Sequence, residues 1–270
     1  MNLYPDIVVS NLCFSYEIDK ILVLDKISLN INRGEFISII GPNGSGKSTL
    51  LKHFNCILSP NSGDVIVYGM NTKDEEFKLD IVHNVGMVFQ NPDNQMVASI
   101  VEEDIAFTLE NLGVPQIEMQ PRINSALEKV GMLEYASHTT YGLSAGQKQK
   151  VAIAGILAMM PKCILLDEPT SMLDPVSRQE VLKVVKSLNR VGGVTVIMVT
   201  HRIDETIDSD RILVLNDKKI VLDGTPYKVF SSSEYESLGL DLPSVLNMCK
   251  KYNVPETLDV TQLIDQIMAK

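Results

Sequence analysis

Short apolar runs alternate with helix-period segments along most of this chain. Ile27, Leu29 and Ile31 are separated by polar residues, the period of two expected of a half-buried antiparallel strand. Residues 36–40 form a mostly apolar run that stops at a glycine, as a strand buried on both faces would. Similar runs recur at 65–68, 85–89, 164–166 and 194–199. Between them, residues 47–58, 97–112, 144–160 and 175–191 carry helical spacing. A further helix is predicted over 121–130, with Pro121 at its first position, where a missing N–H is tolerated. Alternation of this kind predicts an α/β fold built on a parallel sheet. No strand pattern interrupts 91–140, so a helical insertion is expected there. Residues 212–215 and 220–222, joined about Asn216 and Asp217, predict a late hairpin. The composition shifts near 231: Ser231, Ser232 and Ser233 read as a linker, followed by two short amphipathic helices around 244–251 and 258–268.

Composition narrows the function classes. Among 270 residues, 34 are acidic and 24 basic, a formal net charge of −10. That balance argues against a general nucleic-acid binder, which carries a basic footprint. It argues equally against docking on an anionic membrane through a polybasic patch. The 45% hydrophobic content excludes a largely disordered chain. No segment approaches the roughly 20 apolar residues that span a bilayer, and Asn2, Tyr4, Pro5 and Asp6 do not read as a secretory signal. Cys13, Cys56, Cys163 and Cys249 are scattered without metal-ligand spacing, so reduced thiols are expected.

Chemistry first appears at Gly41, Pro42, Asn43, Gly44, Ser45, Gly46, Lys47 and Ser48, followed by Thr49. The stretch fits G-x-x-x-x-G-K-[S/T] and follows directly on the run 36–40. Glycines let backbone N–H groups turn inward and, with the following helix N-terminus, cradle phosphate oxygens. Lys47 would reach the β- and γ-phosphates and Ser48 would coordinate Mg²⁺. Asp167 and Glu168 end the run that begins at Cys163, which places both carboxylates at the C-terminal edge of a parallel sheet, where such folds bind ligands. Asp167 suits a Mg²⁺ ligand acting mostly through water, and Glu168 suits the base for an attacking water. Leu143, Ser144, Ala145, Gly146 and Gln147 open a helix that Ser144 can cap, leaving N–H groups for an anion.

The stretch 143–147, some twenty residues ahead of Asp167 and Glu168, resembles the signature of ATP-binding cassette (ABC) ATPases. The resemblance covers about residues 5–230. It implies a P-loop NTPase cassette with an N-terminal antiparallel β subdomain, a helical subdomain at about 91–140, and a short C-terminal helical extension over 231–270. Tyr16 matches the aromatic that stacks on adenine, although a strand residue in the core is the other reading. Gln90 matches the Gln loop, a contact to Mg²⁺ and water. Ser171 to Asp174 matches the D-loop, and His201 the switch histidine. His53, His83 and His138 have no such context and are expected to be surface or structural. Two departures stand out: Ala145 replaces a usual second glycine, and Lys150 a common arginine.

The resemblance implies ATP and Mg²⁺ as cofactors and a second ATPase subunit, identical or not, whose ATP the signature would contact. Residues 88–95, 101–107 and 110–115 resemble the ATPases of energy-coupling factor (ECF) importers, including cobalt and nickel importers. That implies uptake of a vitamin or transition-metal ion, with a transmembrane coupling protein docking near Gln90 and a substrate-capture membrane protein. Asp93, Glu102, Glu103 and Asp104 could meet arginines of the coupling protein, or form a solvated acidic helix start. The extension would contact the partner ATPase, and the chain would sit on the cytoplasmic face of the membrane. An ATPase of another ABC importer or exporter, or a soluble non-transport one, shares the cassette motifs.

Overall fold

A computed structural model describes residues 5–16 and 21–269. Its strands are β1 (Ile7–Ser15), β2 (Leu22–Ile31), β3 (Phe36–Ile40), β4 (Ser62–Val67), β5 (Met70–Asn71), β6 (Val85–Val88), β7 (Cys163–Asp167), β8 (Thr195–Val199), β9 (Arg211–Asn216) and β10 (Lys219–Gly224). Its α-helices are α1 (Lys47–Phe54), α2 (Lys78–Asn84), α3 (Val101–Asn111), α4 (Gln116–Lys129), α5 (Ala145–Ala158), α6 (Pro175–Arg190), α7 (Pro226–Phe230), α8 (Ser233–Ser237), α9 (Ser244–Tyr252) and α10 (Val260–Met268).

The central sheet has the order β10-β9-β3-β8-β7-β6. Its pairings are parallel from β6 through β9, and β10 closes the edge as an antiparallel hairpin with β9. The second sheet, β2-β1-β4-β5, is antiparallel. The central strands read as unbroken apolar runs because both faces are covered. Ile164 and Leu166 of β7 point into one core with Val88, Phe36 and Met198, beneath α3, α4, α5 and α6. Cys163 and Leu165 point into the other, shared with Ile37, Val199, the antiparallel sheet and α1. A third core joins Ile40, Ile212 and Val214 to Phe230, Tyr235, Leu246 and Leu263 of the C-terminal helices.

Several expectations shift. Strand β1 has no counterpart in the sequence reading because its alternation slips: Ile7 and Val9 are buried, then Leu12 and Phe14. The slip occurs where the pairing register shifts and Asn11 takes a positive φ of 50°. Pro121 does not begin its helix. It lies inside α4, which starts at Gln116 after an extended Pro115. The lost N–H would have bonded the carbonyl of Ile117, a residue 86% exposed, so water can take its place. Residues 97–100 are not helical, because Asp104 Oδ1 accepts from the backbone N–H of Val97 and Ala98 at 2.6 and 2.9 Å. The serines 231–233 are no linker. Ser232 caps α8 through a bond from the Tyr235 N–H, and the rings of Phe230 and Tyr235 meet edge to face at 5.2 Å. The four cysteines are free.

Candidate active site

Strand β3 delivers the chain into the phosphate-cradle sequence. At Gly41, φ is 146° and an added Cβ would lie 1.9 Å from the carbonyl oxygen of Leu215, so only glycine fits beside the neighbouring strand. The loop re-enters helix at Gly46, and α1 begins with Lys47. Lys47 Nζ donates to the carbonyls of Gly41 and Pro42, both at 2.9 Å. Burial lowers the Lys47 pKa, opposed by the charges of Glu168 and Asp167. Ser48 Oγ donates to Asp167 Oδ1 at 2.7 Å. Burial raises the Asp167 pKa, opposed first by that hydrogen bond. Tyr16, just past β1 and 47% exposed, is no core residue. Its hydroxyl lies 3.1 Å from Thr49 Oγ1. Tyr16, Asn43, Gly44, Lys47, Ser48 and Glu168 help line an open cleft of about 370 Å³. Ser45, within the loop, is buried.

Glu168 leaves β7 with φ of 49°, in the left-handed region that a non-glycine residue enters only when its surroundings hold it there. Its N–H bonds the carbonyl of Val199 at 2.9 Å. Its carboxylate oxygen Oε2 accepts from Gln90 Nε2 at 2.9 Å and lies 3.3 Å from His201 Nδ1. Ser171 Oγ donates to the Glu168 carbonyl at 3.0 Å. The loops after β6 and β8 therefore converge on the carboxylate that ends β7, beside the phosphate cradle. Such a group can orient water and take its proton.

The signature stretch lies elsewhere. Ser144 caps α5 in a capping box: its Oγ accepts from the Gln147 N–H, and Gln147 Oε1 accepts from the Ser144 N–H. Leu143 is buried and Ala145 exposed. Gly146 faces α6, where an added Cβ would lie 2.5 Å from Ser177 Cβ. Lys150 pairs with Glu180 at 2.9 Å. None of residues 143–147 lines the cleft. Asp174 caps α6, with Oδ1 accepting from the N–H groups of Val176 and Ser177. A hydrogen bond with the Ser177 side chain, and after it the bond from the Ser177 N–H, lowers the Asp174 pKa.

The acidic stretch divides. Asp104 is buried, and its Oδ1 accepts from the N–H groups of Val97 and Ala98. Glu103 is exposed, Glu102 partly so, and Asp93 pairs with Lys148 at 2.6 Å. His53 is fully buried, whereas His83 and His138 are exposed. Sequence reasoning missed Glu205, buried among Thr170, Thr200 and Arg178. Nothing in its spacing marks it. Among the described residues, no group of three or more His, Cys, Asp or Glu is arranged to hold a metal ion.

Residues 24–171 match the family model described as ABC transporter. The chain belongs to the ABC transporter ATPases. It is 55% identical over 227 residues to the energy-coupling factor transporter ATP-binding protein EcfA1 of Caldanaerobacter subterraneus, an alignment covering 84% of this chain and 82% of that protein. It is 49% identical over 242 residues to EcfA1 of Clostridium novyi, covering 88% and 86%. Among solved structures, cbiO1 from Clostridium perfringens, part of the ABC transporter complex cbiONQ, matches with a TM-score of 0.79 at 35% identity, over 92% of this chain and 99% of that one. A dimeric ATP-binding cassette in a post-hydrolysis state with ADP and phosphate matches with a TM-score of 0.72 at 31% identity, over 82% and 98%. This ABC-type ATPase therefore has the cassette fold and lies among ECF ATP-binding proteins. No helix among its described residues is long and apolar enough to cross a membrane.

Proposed function

We propose that this ATPase hydrolyses ATP to power substrate uptake by an ECF-type membrane transporter. The observation that carries the catalytic half is the Glu168 carboxylate, held by Gln90 and close to His201 beside the phosphate cradle. The transport half rests on relatives named ECF ATP-binding proteins. Those relatives favour this reading over another importer, an exporter or a non-transport ATPase.

In this reading Tyr16 stacks on adenine, and the loop 41–46 with Lys47, Ser48 and Thr49 holds the phosphates. Glu168 accepts the proton of the attacking water, and His201 contacts the γ-phosphate. The hard oxygen donors of Ser48 and Asp167, 2.7 Å apart, suit Mg²⁺, with the Gln90 side chain as a further oxygen ligand. Mg²⁺, when bound, neutralises charge on the β- and γ-phosphate oxygens. The chain's own contribution is positioning and charge stabilisation rather than covalent chemistry.

A complete site needs a second ATPase subunit. Residues 143–147 would meet that subunit's ATP, and Asp174 would lie at the junction. The absence of 143–147 from the cleft supports this division. Residues 231–270 would form an ATPase–ATPase contact. Val260, Ile264 and Met268 of α10, spaced at one helical face and 60%, 54% and 82% exposed, support that role. A transmembrane coupling protein would dock near Gln90, Glu102 and Glu103, with a substrate-capture protein alongside, and hold the chain on the cytoplasmic face of the membrane. The experiment is affinity purification of the tagged chain from solubilised membranes, with ATP-dependent uptake measured in parallel. Integral membrane partners should co-purify; recovery without any of them would overturn the transport reading.

A further inference from the structure

Glu205 lies in the short 3-10 turn Ile203–Thr206 that follows His201, with its side chain only 4% exposed. A carboxylate withdrawn from water is costly unless its charge and lone pairs are met. Both oxygens are engaged. Thr170 Oγ1 donates to Oε1 at 2.6 Å, and Thr200 Oγ1 donates to Oε2 at 2.8 Å. Arg178 Nε stands 3.8 Å from Oε1, and the same guanidinium donates to the Leu173 carbonyl at 3.1 Å.

The two donors sit at decisive places in the chain. Thr170 follows Glu168 by two residues, and Thr200 immediately precedes His201. One buried side chain therefore spans the two segments whose tips meet again where His201 Nδ1 approaches Glu168 Oε2 at 3.3 Å. Thr200 Oγ1 also accepts from the Arg202 N–H at 3.0 Å, which locks the turn after the histidine. An apolar side chain would fill the same space without the desolvation cost, so packing alone gives no reason for a hydrogen-bonding group that bridges two threonines here.

We propose that Glu205 is a positioning residue for ATP hydrolysis, fixing the spacing between the segment bearing Glu168 and the segment bearing His201. The inference rests on the roles proposed above for those two residues. Glu205 contacts neither of them through its carboxylate in the bonds described; it acts through the two threonine hydroxyls. Displacement of a reacting group by about 1 Å can cost up to about 10²-fold in rate.

The test uses the full chain in its assembled transporter and measures kcat and KM for ATP together with thermal stability. Glu205→Ala removes both arms of the bridge. Thr170→Val and Thr200→Val each remove one hydroxyl at nearly constant volume. In Glu205→Gln the amide oxygen can accept from one hydroxyl while its NH₂ donates to the other. The expected result is a kcat about tenfold lower for Glu205→Ala, with KM within about twofold of the parent. Each Thr→Val variant should show a smaller loss, and Glu205→Gln should recover most of the parental kcat. Parental kcat in Glu205→Ala and both Thr→Val variants overturns the proposal. So does an equal loss in Glu205→Gln and Glu205→Ala, or a loss confined to thermal stability. If Glu205→Ala does not fold, the two Thr→Val variants decide. Glu168→Gln and His201→Ala serve as controls: turnover retained there overturns the site assignment itself. Inactive controls beside fully active Glu205 and threonine variants overturn only the positioning role.

Discussion

The side-chain amide of Gln90 donates to Oε2 of Glu168 at 2.9 Å, although 78 positions separate the two residues along the chain. The amide carries no charge, so it orients the carboxylate without neutralising it. His201 approaches the same oxygen from the adjacent strand. Glu168→Gln preserves the shape, and its amide oxygen can still accept from Gln90. It removes the proton acceptor. ATP binding should stay near the parental affinity while turnover falls at least about 10²-fold. Equilibrium nucleotide binding and steady-state hydrolysis on the same preparation check both halves. A variant that hydrolyses ATP at the parental rate removes the role given to Glu168.

Ser48 and Asp167 make the second testable pair. Burial raises the Asp167 pKa, and the hydrogen bond from Ser48 Oγ opposes that rise. Ser48→Ala deletes the hydroxyl and leaves a buried carboxylate short of a donor. If the two groups hold the metal together, ATP affinity measured with Mg²⁺ should fall at least about tenfold, and affinity in chelator should change little. Equal losses with and without Mg²⁺ would instead make Ser48 a nucleotide contact alone.

Gly146 illustrates how a motif residue can be held in place by packing. Its added Cβ would lie 2.5 Å from Ser177 Cβ and 2.6 Å from Ser177 Oγ, where α5 crosses α6. Gly146→Ala should destabilise the chain by about 1–3 kcal/mol through overpacking. Ser177→Gly removes both obstructing atoms, so the double variant should regain most of that loss. Urea denaturation of the two single variants and the double one gives the coupling directly. Additive effects would show that the helices part without strain.

The central sheet and the cradle were legible in the sequence for one reason. Strands buried on both faces leave apolar runs that end where the functional loops begin, as at Ile40 and Asp167. Strand β1 was hidden because a bulge near Asn11 breaks its period. Pro121 misled because the residue marks helix starts more often than interiors, and an exposed turn tolerated the missing N–H. The contacts among Gln90, Glu168 and His201 join loops far apart in the chain, so no local pattern records them. Glu205 was illegible for the same reason. Its partners Thr170 and Arg178 precede it by 35 and 27 positions.

His53 on α1 is buried completely, with Nδ1 2.8 Å from the Thr49 carbonyl and Nε2 without a hydrogen-bond partner among the described residues. Its ring meets Phe14 edge to face at 4.7 Å, and Phe14 in turn meets Tyr16 at 5.0 Å. Nδ1 faces a carbonyl and therefore carries the hydrogen, so a second proton would have to sit on the unpartnered Nε2. Burial accordingly pushes the pKa down to about 4 from an ordinary value of 6.5, opposed by the bond to Thr49. The unfolded chain thus binds the proton more readily than the folded one between those values. The contribution to stability is complete above pH 6.5 and is lost as pH falls toward 4. Between pH 7 and pH 5 the loss should be about 2 kcal/mol. Other groups titrate in the same range, so the measurement is a difference. Urea denaturation of the parent and of His53→Gln, which keeps a donor for Thr49 and cannot titrate, is compared at both pH values. The stability margin of the parent over the variant should shrink by about 2 kcal/mol at the lower pH. A constant margin would mean that the buried ring accepts a proton as easily as a solvated one, and the burial argument would fail.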